Sequence, residues 1–71
     1  MTDKETTKVI VRVGREALEL EGKIDRLKTA LENKDLKISD DHRKLLKEQL
    51  EIMTKYDDIL KRRIDDLTFN H

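Results

Sequence analysis

Cysteine, proline and tryptophan are all absent from this 71-residue chain, and the only aromatic residues besides histidine are Tyr56 and Phe69. Without cysteine, neither a disulfide framework nor a thiolate metal site can supply stability to a domain in a size range where a lone core is marginal. Net charge is missing too. Sixteen basic residues cancel sixteen acidic ones, which disfavours sequence-independent DNA binding, because a binder of that kind carries a basic excess. No signal-peptide pattern and no run of apolar residues long enough for a bilayer is present, so a cytoplasmic protein is expected. Phosphate-cradling glycine loops, nucleophile motifs and metal-ligand spacings are also missing. His42 follows two acids at a helix start, and the pairs Asp40–Asp41, Asp57–Asp58 and Asp65–Asp66 point around a helix rather than converging. The expectation is a protein that is not an enzyme and needs no cofactor or metal.

What is present is charge, at 45% of residues, and leucine and isoleucine at helical spacing. Ile10, Val13, Ala17, Leu20, Ile24, Leu27 and Leu31 alternate three- and four-residue steps, the signature of one apolar helical face. They predict a helix over about 7–33, started by Thr6 or Thr7. The β-branched run Lys8–Val13 would suit a strand, but it has no second strand to pair with. Gly14 and Gly22 lie inside this helix and either are tolerated there or let another backbone approach. Residues 34–39 form the break, with Ser39 as N-cap and Asp40 and Asp41 in the first turn of a second helix over about 40–67. Acids four residues before bases at Glu19–Lys23, Glu51–Lys55, Asp57–Lys61 and Asp58–Arg62 support both helices. Met1 to Thr7 are expected as a polar, frayed start and Thr68 to His71 as a short tail.

Two seams are written over the second helix. Leu46, Leu50, Met53, Leu60, Ile64 and Leu67 form the first, interrupted by Asp57. Leu45, Gln49, Ile52, Tyr56, Ile59 and Arg63 form the second, in which an amide, a phenol and a guanidinium stand seven residues apart on one face. A short connection between long helices implies an all-α antiparallel two-helix hairpin. One partner helix uses only the first seam. The second therefore calls for another chain or a ligand, and the chain is expected to assemble into a homo-oligomeric helical bundle, a homotetramer ahead of a dimer.

Folding about residues 36 and 37 sets position i beside 73 minus i. Arg12 then lies level with Lys61 to Arg63, and Glu16 near Tyr56. Lys8, Arg12, Arg15, Arg62 and Arg63 gather at the open end, either as an anion site or as bases balanced by Glu5, Glu16, Asp65 and Asp66. Tyr56 either fills an interface with its hydroxyl at the rim or stacks on a planar ligand. Gln49 either reads a base edge or fixes oligomer register. Arg63, in an apolar seam, needs an anion from a neighbouring chain or a phosphate.

The residues Leu45-Leu46-Lys47-Glu48-Gln49, Met53, Tyr56, Ile59-Leu60 and Arg63-Ile64, with Arg12-Val13, Glu16, Glu19-Leu20, Lys23-Ile24 and Leu27, resemble a widespread family of short helical-hairpin proteins of tailed phages, typified in crAss-like phages. Leu31 departs from the aromatic residue that many members carry nearby. The family includes anti-CBASS sponges that sequester cyclic dinucleotides. The resemblance implies an immune-evasion protein in the host bacterial cytoplasm, a cyclic dinucleotide such as a cyclic GMP-AMP as partner, and no membrane or DNA partner. Its ligand residues do not transfer from the family, so Arg12 and Arg63 for phosphates, Tyr56 for a base and Gln49 for orientation are expectations from side-chain chemistry. The alternatives are a helical inhibitor of a host protein and a structural coiled-coil adaptor.

Overall fold

The computed structural model describes residues 4–69 and contains two helices, α1 (Lys4–Glu32) and α2 (Asp40–Phe69), folded against each other as an antiparallel hairpin. It is a rod of 52 × 15 × 13 Å, a little longer than the ~45 Å that thirty residues rise in a helix. Among the described residues there is no strand, so the β-branched Val9, Ile10, Val11 and Val13 are helical. Tertiary burial of one face outweighs their small propensity penalty.

The first seam becomes the core. Val13, Ala17, Leu20, Ile24 and Leu60 are buried, and Val9, Leu50, Met53 and Ile64 pack around them. Asp57, which interrupts the same seam, is buried at 8% exposure. Its Oδ2 lies 3.0 Å from Lys61 Nζ, whereas Oδ1 accepts no hydrogen bond. The Asp58–Arg62 pair also forms, at 3.6 Å.

Both helices run past their expected limits. α1 begins at Lys4, and Thr6 and Thr7 lie within it instead of capping it. Thr6 is buried at one heptad step before Val13, so the helix gains a further contact by continuing. α2 runs through Thr68 and Phe69, with Phe69 78% exposed. The expectations for Met1 to Asp3, and for Asn70 and His71, lie outside the described residues.

The connection follows side-chain chemistry. Ser39 Oγ accepts the His42 N–H at 3.1 Å, and the Ser39 carbonyl accepts the Arg43 N–H at 3.0 Å, which is an N-cap on the first turn of α2. Asn33 Oδ1 accepts the Asp35 N–H at 2.9 Å, and its carbonyl accepts Leu36 N–H at 3.2 Å, an Asx-type turn. α1 has no basic residue in its last turn. Arg43 of α2 supplies one from across the loop, donating to the Leu31 carbonyl at 3.1 Å and satisfying an otherwise orphaned helix-end acceptor.

Candidate functional site

The register of the hairpin decides which functional side chains meet. Glu16 with Tyr56 and Leu31 with Arg43 each fall within one residue of the pairing in which i faces 73 minus i. Glu16 and Glu21 are five residues apart on α1, as are Tyr56 and Lys61 on α2. Five residues turn a helix by about 140°, so each helix places one of its two residues on each flank of the buried row. The hairpin therefore has a front carrying Glu16 and Tyr56 and a back carrying Glu21 and Lys61.

On the back, Lys61 Nζ lies 2.7 Å from Glu21 Oε1 as well as 3.0 Å from Asp57 Oδ2. Side chains tilt toward the N-terminus of their own helix, and in an antiparallel pair those directions oppose, so Glu21 and Lys61 reach toward each other along the rod. The hydrogen bonds to Glu21 and then Asp57 raise the Lys61 pKa above its ordinary value. The lysine side chain is 55% exposed, and water screens most of what these pairs add to stability. A shallow hollow bounded by Glu21, Ile24, Thr54, Asp57 and Lys61 lies here.

On the front, the Tyr56 hydroxyl donates to Glu16 Oε1 at 2.5 Å. That bond, then partial loss of water and the Glu16 charge, raises the phenol pKa above its ordinary value, while the Arg63 charge pulls it down. Tyr56, Glu16 and Arg63 thus form one electrostatic neighbourhood. Gln49 is exposed two turns earlier and donates weakly to the Met53 sulfur at 3.7 Å. Arg12 is exposed one turn before Glu16 on α1.

A groove of about 550 Å³ lies toward the open end of the hairpin. Val9 of α1 and Ile59, Arg62, Arg63, Asp66 and Leu67 of α2 line it. Three apolar walls with two guanidiniums and one carboxylate suit a flat, partly apolar anion, and the volume lies in the ordinary range for small-molecule sites. Of the four residues singled out from sequence, Arg63 lines this groove, whereas Arg12, Gln49 and Tyr56 stand on the surface outside its walls. Arg62 belongs to neither seam but is one of the bases expected to gather at the open end, and it lines the groove. Val9, Ile59 and Leu67 are seam or near-seam residues whose meeting at one end likewise depends on the fold.

The apolar members of the second seam remain exposed. Leu45, Ile52 and Ile59 are 60%, 67% and 48% exposed, and Tyr56 is 43% exposed. Val11 and Leu18 form a smaller stripe on the outer, Glu21 side of α1, with Gly14 between them. A Cβ built on Gly14 meets nothing within 4 Å, and one on Gly22 meets only the flexible tip of Arg26, so the hairpin itself requires neither glycine. No described helix is long and apolar enough to cross a membrane, and no described group of three or more His, Cys, Asp or Glu residues could hold a metal ion.

No curated protein and no solved structure matches the chain. The family model described as Sequestin matches residues 7–66, a span that takes in most of both helices, the connection and the whole lining of the groove except Leu67. The chain belongs to the Sequestin family.

Proposed function

We propose that this chain is a phage anti-defence protein that oligomerises and sequesters a cyclic dinucleotide immune signal of CBASS defence, such as a cyclic GMP-AMP, in the cytoplasm of the infected bacterium, without cleaving it. The observation that carries the reading is the open-end groove, with Arg62 and Arg63 beside the apolar walls of Val9, Ile59 and Leu67. A cyclic dinucleotide pairs two phosphate charges with flat bases, and guanidinium groups and apolar walls meet those two demands. The family name denotes sequestration, which supports binding as the purpose of the site. Arg63 holds a phosphate, Tyr56 packs against a base at the rim, and Arg12 and Gln49 extend the polar front face toward a neighbouring chain. A homotetramer of dihedral symmetry needs two different self-complementary contacts. The Leu45–Ile59 stripe and the Val11–Leu18 stripe, on different helices, offer two.

Thermal melts with a panel of cyclic di- and trinucleotides test this. A bound ligand at a hundred times its dissociation constant adds about 2.7 kcal/mol to stability, and denaturing the complex should return intact nucleotide. Arg63→Ala should abolish the shift. Linearised nucleotide after denaturation overturns the non-cleaving part of the proposal. Absence of a shift with every nucleotide overturns the ligand. It leaves the exposed α2 stripe in favour of a helical inhibitor of a host protein, for which pull-down is the direct assay.

A further inference from the structure

The exposed α2 seam has a property that a generic sticky face lacks, because it is complementary to itself in one direction and not in the other. Leu45, Ile52 and Ile59 recur every seven residues with Gln49 and Tyr56 between them. This is a second heptad seam about 21 Å long, and only another helix matches a straight row of that length. Turning a second copy about a two-fold axis through Ile52 sets α2 antiparallel to itself. Leu45 then meets Ile59 of the second copy, and Ile52 meets Ile52. The same operation puts Glu48 level with Lys55, and Arg63 level with Asp41. A parallel pairing sets Glu48, Lys55 and Arg63 each level with its own equivalent, and like charges across a contact are repulsive.

We infer that the front face pairs with the front face of a second copy as an antiparallel two-fold dimer centred on Ile52. The axis carries a consequence for the groove. It brings the beginning of one chain's α2, near Asp41 and Leu45, over the Ile59 and Arg63 end of the other, so each open-end groove is completed by the second chain and the pair holds two equivalent grooves. This deepens the inter-chain pocket proposed above and rests on that reading only for what the groove holds. The packing itself stands on exposure, spacing and charge order.

The absence of cysteine makes the geometry directly measurable, since any introduced thiol is the only one in the chain. A disulfide requires Cα atoms within about 7 Å of each other. With no nucleotide present, mild oxidation of Ile52→Cys should give a covalent dimer, and so should an equimolar mixture of Leu45→Cys and Ile59→Cys chains. Leu45→Cys or Ile59→Cys alone should stay monomeric on a non-reducing gel. Self-crosslinking of Leu45→Cys and Ile59→Cys as fast as Ile52→Cys overturns the antiparallel axis. Failure of every combination to crosslink, with helicity unchanged, overturns the interface. A second arm leaves the apolar row untouched: Glu48→Lys and Lys55→Glu should each raise the dimer dissociation constant several-fold, and the two together should restore it. No restoration in the double variant overturns the charge register. Because ligand is absent throughout, crosslinking that succeeds while nucleotides fail to bind rejects the sponge reading and leaves the dimer standing.

Discussion

Asp57 offers the most direct test of how the hairpin is held together. It occupies a first-seam position at 8% exposure, at the edge of the back-face hollow with Ile24, Thr54 and Lys61, with Oδ1 unpartnered. Replacing it with leucine completes the row from Leu46 to Leu67. Burying most of a leucine side chain contributes ~1.5–3 kcal/mol, and relieving an unpaired buried acceptor adds ~1–3 kcal/mol. The larger side chain must be accommodated, and overpacking costs ~1–3 kcal/mol. The Lys61 partnership is lost as well, but Lys61 retains Glu21 and stands mostly in water, where such pairs add little. The net expectation for Asp57→Leu is stabilisation by about 1–3 kcal/mol, each kilocalorie moving Tm by ~4–8 °C in a domain of this size. The isosteric Asp57→Asn should stay within ~1 kcal/mol of wild type. Circular-dichroism melts at several protein concentrations measure both variants and separate folding from assembly. A lower Tm for Asp57→Leu at every concentration refutes the reasoning, and would mean that Oδ1 has a partner in the assembled protein. Such a partner would lie on the back face and belong to another molecule.

Gly14→Ala should raise stability by ~1 kcal/mol from helix propensity, since the new methyl meets nothing within 4 Å; a fall in Tm would show that a second backbone packs there in the oligomer. Ser39→Ala should cost ~1 kcal/mol by removing the acceptor of the His42 N–H, measured by urea denaturation with an unchanged slope. Tyr56 has its folded pKa raised above the ordinary value, mainly by its hydrogen bond to Glu16. The protonated phenol is therefore favoured in the folded state, and this contribution is fully present below the unfolded pKa and lost as pH rises through the folded one. Phenolate absorbance should titrate above the ordinary tyrosine value in wild type and move back toward it in Glu16→Gln, and identical curves would exclude the Glu16 contact in solution.

The hairpin was legible because apolar spacing is a local property. The three-four alternation from Ile10 to Leu31 names Val13, Ala17, Leu20 and Ile24, which are the buried residues of α1 other than Thr6, and Ser39 caps α2 through its own turn. The threonine hydroxyls read as caps, whereas Thr6 lies inside α1 and is buried there. Arg43 was indistinguishable from the other bases in the second helix, since its role depends on a carbonyl of the opposite helix. The candidate site divides the same way. Arg63 stood out as a charge in an apolar seam, and the Glu16–Tyr56 proximity followed from counting back from the loop. Arg62 is one of several bases expected at the open end, and its place on the groove wall, like that of Val9, depends on how the helices are rotated about their axes, which spacing along one helix leaves open.

The distribution of polar ties between the helices has a mechanical meaning. At one end the chain itself joins α1 to α2, reinforced by Arg43 on Leu31. Toward the other end covalent connection is lacking, and there the inter-helix bonds Tyr56–Glu16 and Lys61–Glu21 occur, one on each side of the rod. They act as paired latches against scissoring, because a swing toward either side stretches one of them. The groove lies toward the open end, beyond the latches. A molecule that touches both Val9 and Arg63 therefore closes the two helices into a ring of contacts, and amide exchange near Val9 and Leu67 should slow more than exchange near the loop when the groove is filled.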